Sequence, residues 1–134
     1  MSNVVFAQAA KLLDASLGTS ALTAFSGAPK VRLTTTAPTA SAAGTELTGS
    51  GYTAGGTATA FTAASAAAGT TTGPTAQLSW TNGSGASWSI VGWEVWDQAG
   101  TPLRWWWGTF TGQPLVVPAA AIFQIPAGNM SFAL

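Results

Sequence analysis

The chain has 134 residues and eight charges, four of each sign, with no cysteine and no histidine. That excludes a disulfide framework, a thiolate nucleophile, cysteine-ligated metals, and a side chain that titrates unperturbed near neutrality. Four cations are too few to track a phosphate backbone, which argues against nucleic-acid binding by counterion release.

Ala, Thr, Gly and Ser together supply 75 residues. At 6 % charge the chain falls far below the roughly 25–35 % of charged surface positions usual for a dispersed small domain. Much of its surface is therefore expected to be covered in an assembly. The length suits a single domain over 1–134, divided into a helical N-terminal arm (1–27) and a β-sandwich (28–134). No membrane span is expected, because Pro114, Pro118 and Pro126 break the most apolar late stretch. The N-terminus lacks the basic start of a signal peptide, and Lys11 and Asp14 interrupt its apolar run. The absence of cysteine fits synthesis in a reducing cytoplasm.

Residues 3–17 read as a short helix capped by Ser2 or Asn3 and stopped by Gly18. Phe6, Ala10, Leu13 and Leu17 form one apolar stripe, predicted to pack on the domain itself or to dock on another subunit or a scaffold. Lys11 and Asp14 can pair on the wet face. Lys30 to Thr34 alternates as a strand, with Val31 and Leu33 inward and Lys30 and Arg32 outward. Those two cations are either solvated or a small anionic contact. From Thr34 to Ala76 the chain is of low complexity. A single charge there argues against disorder, and short strands are predicted near 45–49 and 53–62.

The second half alternates more plainly. Ala76 to Trp80 reads as a strand, followed by an Asn82-Gly83 turn. Trp88 to Asp97 is a strand apolar on both faces, with Val91, Trp93 and Val95 opposite Ile90 and Trp96. After a turn at 98–101, Pro102 to Phe110 returns as its partner. Alternation places Trp105 and Trp107 on one face and Arg104 with Trp106 on the other. Strands follow at Leu115 to Val117, Ile122 to Ile125 and Asn129 to Leu134. The predicted class is mainly β: an antiparallel β-sandwich or jelly-roll-like barrel of about eight short strands with one N-terminal helix.

Three stretches carry a family resemblance: TTTAPTASAAGTELTGSGY at 34–52, WSIVGWEVWDQAGTPLRWWWGTF at 88–110, and FQIPAGNMSFAL at 123–134. Their shared features are GTE followed by GY, a D-x-x-G hairpin turn, a W-G return strand and an IPAG turn. The chain thereby resembles small virion structural proteins of tailed bacteriophages, the minor capsid, head-decoration and tail-fibre-like proteins. The resemblance covers roughly 28–134. It departs from that pattern after Tyr52, where Thr53-Ala54-Gly55-Gly56 stands in place of a usual basic residue.

No catalytic, cofactor-binding or metal-ligating residues are predicted. Glu94 and Asp97 are the only acids close in sequence, and three positions apart on a strand they point to opposite faces. Ser and Thr have no basic partner to activate them. The glycine-rich segments lack the Lys and helix of a phosphate loop. The seven tryptophans between 80 and 107 could grip sugar rings, with Arg104, Glu94 and Asn82 to fix hydroxyls. Alternatively they fill the sandwich and meet a neighbouring subunit. The expected interface residues are Trp96, Arg104, Trp106, Lys30 and Arg32. The resemblance implies a non-enzymatic virion protein, and a length of 134 residues, which leaves little room for a fibre's long shaft or separate tip domain, favours a decoration protein that oligomerises on the outside of the head and reinforces it. Its partners would be itself, as a homotrimer, and the major capsid protein, with no nucleic acid or membrane. The alternative is a tail-tip or tail-fibre-like protein that binds host surface glycan.

Overall fold

Alternating side chains set the strands, and the order in which they pair sets the architecture. A computed structural model describes residues 3–134. In chain order the elements are β1 (Asn3–Val4), α1 (Phe6–Ser16), β2 (Lys30–Thr34), β3 (Thr57–Ala58), β4 (Thr70–Gly73), β5 (Leu78–Thr81), β6 (Trp88–Ile90), β7 (Gly92–Trp96), β8 (Arg104–Thr109), β9 (Leu115–Val117), β10 (Ile122–Ile125) and β11 (Met130–Ala133). From β4 onward the strands pair from the outside in: β4 with β11, β5 with β10, β6 with β9, and β7 with β8. A long hairpin folded on itself gives this nested order, which is that of a jelly roll. All pairs are antiparallel, and the sheets stay open rather than closing into a barrel. The largest sheet runs β1-β8-β7-β2-β3.

The core lies where this sheet faces the smaller ones. Val31, Leu33, Trp93 and Val95 meet Leu78, Trp80, Ile90, Val117, Ile125, Met130 and Phe132. Phe132 is its aromatic centre. The rings of Phe61, Trp106 and Trp93 stand edge-on to it at 4.9, 5.3 and 5.7 Å, the geometry that aromatic quadrupoles favour.

Several predicted elements change on folding. The strand expected over 88–97 is two strands, because the chain leaves the β9 ladder at Val91 and enters the one with β2 and β8. In the low-complexity stretch, 45–49 keeps only a Thr34–Glu46 bridge and 53–62 shortens to β3. β4 arises where no strand was predicted. Its Gly73 pairs with Met130, and a side chain there would collide with the Phe61 ring. Asn82-Gly83 is a corner between strands with different partners, and Asn82 is buried in it.

The N-terminal arm starts differently from expectation, and its apolar stripe does not pack on the domain. Asn3 and Val4 are taken by the β8 ladder opposite Trp107 and Trp106, so Asn3 does not cap the helix. The N-cap is Val5, without a side-chain bond, and the Phe6 N–H donates to Ala40 O instead. Ser2 lies outside the described residues. At the other end Gly18 (φ 71°) closes the helix as predicted, with Thr19 N–H on Asp14 O and Gly18 N–H on Ala15 O. Lys11 and Asp14 form no ion pair; among the described residues the pairs are Arg32–Glu46 and Arg104–Glu94. β1 fixes the rotation of the helix. Gln8, 3 % exposed, faces the domain, while Phe6, Leu13 and Leu17 are 68, 59 and 70 % exposed.

Because three rings meet on Phe132, Phe132→Ala is expected to destabilise the fold by about 3–5 kcal/mol, read by denaturant unfolding. A loss below about 1 kcal/mol would mean that the cluster relaxes to fill the space.

Candidate functional site

The residues of the expected interface lie in the five-stranded sheet, but not on one face. Cross-strand register places Lys30 opposite Trp96 and Arg32 opposite Glu94 on the outer face. Trp106 pairs with Val95 on the inner face. A β-bulge separates Val95 from Trp96, whose partners on β8 are Trp106 and Arg104, so Trp105 is the extra residue. The bulge reverses the alternation beyond it. Arg104 therefore joins Glu94 and Trp96 rather than sharing a face with Trp106.

That reversal makes a buried polar cluster. The Glu94 carboxylate is 2 % exposed. Its Oε1 accepts from Arg104 Nη1 and Gly44 N–H, both at 2.9 Å, and its Oε2 accepts from Trp96 Nε1 at 2.9 Å. Arg104 also donates to Ala42 O at 2.8 Å. It is therefore an internal residue of the chain. Gly44 must be a glycine here, because a Cβ would sit 2.6 Å from Thr36 O. Above this layer the Arg32 guanidinium lies 4.0 Å from the Trp96 ring, a cation–π contact. Its Nε donates to Gly55 O at 3.2 Å. Arg32 is neither freely solvated nor an open anion site. It also brings a cation to the loop after Tyr52, where the sequence itself has none.

The GTE and GY residues form the cover of this face. Glu46 Oε1 accepts from Tyr52 OH at 2.9 Å and from Gly55 N–H at 2.7 Å, and Arg32 Nε stands 4.0 Å away. Tyr52 OH accepts from Leu33 N–H at 3.2 Å. Burial, then the Glu46 hydrogen bond and charge, push the Tyr52 phenol well above its ordinary range. Sequence reading found this motif but not its task. The signal was an acid and a tyrosine six apart inside an otherwise uncharged run.

Asp97, like Glu46 and Glu94, is engaged as a structural acceptor. Asp97 ends the β7–β8 hairpin, with Oδ1 accepting from Ala99 and Leu103 N–H and Oδ2 from Trp105 Nε1. Asn82 donates to Ala86, Val117 and Pro118 carbonyls and accepts from Ser84. Glu94, Arg104 and Asn82 are all buried, so none can fix the hydroxyls of a sugar on the surface. This corrects the sugar-gripping arrangement considered for them. The tryptophans are mostly interior too: Trp80, Trp88, Trp93 and Trp105 are buried, and Trp96, Trp106 and Trp107 are half-buried.

Of the open surfaces, a cleft of about 340 Å³ at Trp93, Thr109, Phe123, Gln124 and Asn129 has a mixed polar and apolar lining, and two others are apolar. Phe25, Phe61, Val95, Trp106 and Phe132 line a cavity of about 390 Å³. Phe25 and Phe61 come from stretches that sequence reading had given no site role. A second apolar surface joins Phe6 and Val4 to Trp107 and Leu134.

The family described as podophage GP4 fiber I protein gp80 matches residues 1–133. The chain belongs to that family. It is thus a phage virion structural protein, as the resemblance implied, and the match spans the N-terminal arm as well as the strands. The fibre family agrees with the tail-fibre-like alternative better than with the head-decoration reading. No curated protein matches the chain.

Two predictions follow from the polar cluster. Arg104→Met leaves Glu94 buried without its cation and is expected to cost about 3–5 kcal/mol, most of it recovered in the Arg104→Met/Glu94→Gln double variant. Equal losses in single and double variants would show that the pair is not coupled. Tyr52 is the single tyrosine, and its phenol is raised in the folded state. Stability should be full below the ordinary phenol pKa of about 10 and fall as pH rises above it. Phenolate absorbance should appear only with unfolding, and Tyr52→Phe should remove this part of the alkaline loss.

Proposed function

We propose that this protein is a component of a podophage tail fibre that works by assembly and without catalysis, several copies packing around one axis. The family match over residues 1–133 carries the reading. The surface supports it. Lys11, Asp14 and Lys30 are the charged side chains left outside the buried and paired clusters among the described residues. Residues 47–93 and 105–134 contain no charge at all. Identical copies placed side by side bring like charges together, and a chain almost free of surface charge avoids that repulsion. Fibre contacts of this kind should be insensitive to salt. Of the interface residues expected from sequence, Trp106 with its open cavity, Lys30 and the Arg32–Trp96 edge stay available to a neighbour.

Quantitative mass spectrometry of purified virions tests the location. A fibre component should be present at a few to a few dozen copies, following tail symmetry. Immunogold label should fall on the tail. Hundreds of copies in simple ratio to the major capsid protein would instead place it on the head, as a decoration protein.

A further inference from the structure

The outward stripe of α1 is the feature that the fold itself leaves unexplained. Phe6, Ala10, Leu13 and Leu17 are spaced by four, three and four residues. Phe6, Ala10 and Leu13 lie on the helix and Leu17 at its C-cap, and the alternation of four- and three-residue steps is that of the narrow a/d seam of a coiled coil. The seam points away from the domain, and Gln8 occupies the opposite side.

We propose that this stripe is a self-contact, in which α1 of one copy packs against α1 of its neighbours. Three observations select a second copy as the occupant. A 4-3-4 seam is complementary to an identical helix, because knobs at these positions fit holes of the same spacing. The seam is free of charge: Lys11 and Asp14 lie off it, so identical helices meet without like-charge repulsion. Ala10, between Phe6 and Leu13, allows close approach of two backbones. The contact also extends past the helix. Phe6 is shared with the surface formed by Val4, Trp107 and Leu134, around a cavity of about 650 Å³, and Leu134 is itself widely exposed. This inference rests on the fibre reading for several copies around one axis, and it names the surface that holds them.

The chain has no cysteine, so one introduced thiol reports one position. Ala10→Cys should give a dominant disulfide-linked species under mild oxidation of the full chain. Gly85→Cys, at an exposed site with open space around its Cβ, should not. Leu13→Glu should leave the thermal unfolding midpoint unchanged, since Leu13 is already exposed, and should weaken self-association about 100-fold by sedimentation. The proposal is overturned if Leu13→Glu associates like the wild type while Ala10→Cys fails to cross-link. It is equally overturned if the wild type stays monomeric at the highest attainable concentration. The first failure leaves the fibre reading intact, because tail label on virions tests that separately, whereas a monomeric wild type also counts against several copies around one axis.

Discussion

A carboxylate taken out of water must be met by donors, and the way Glu94 meets them organises half of this protein. Its three donors come from its own strand, from the return strand and from a loop fifty residues earlier. The bulge at Trp105 turns Arg104 toward the pair. Gly44 lets the loop come within reach. Arg104 extends the same tie to Ala42. A buried ion pair is a poor source of net stability compared with apolar packing. It is an effective way to demand one register, because a slip of one residue would strand a charge in the interior.

The same economy of polar groups explains how a low-complexity stretch folds. Between Thr34 and Ala76 there are few large side chains to bury. Glu46 and Tyr52 draw the loop onto β2 by hydrogen bonds, and Leu47 N–H donates to Leu33 O. Further on, small residues act by leaving room. Gly73 admits the Phe61 ring, and Thr71 stands opposite Phe132. The aromatic residues then supply the buried area that alanine and threonine lack.

With Glu94, Asp97 and Arg104 buried, the protein presents mostly small, neutral and apolar groups to its surroundings. That surface fits membership of a podophage fibre family. Chain length favoured a decoration role only on the premise that each fibre chain carries its own long shaft or separate tip domain. A fibre can equally be assembled from several chains, so length does not separate the two.

The sequence by itself determined the class, the strand positions and the inward residues wherever alternation was clean. β2, β9 and β10 fall where the pattern placed them, with Val31 and Leu33 inward. The GTE and GY motif was legible as a family mark, and Asp97 as a turn former. Alternation is a local property, and it holds only within an unbroken ladder. The facing of Arg104 depends on a bulge set by the partner strand. The existence of β4 depends on β11, sixty residues away. The outward stripe of α1 depends on β1 joining β8 and fixing the rotation of the helix. Tertiary pairing decided each of these, because a side chain's direction is fixed by which strand its neighbours bond to, and that partner is chosen by the whole fold.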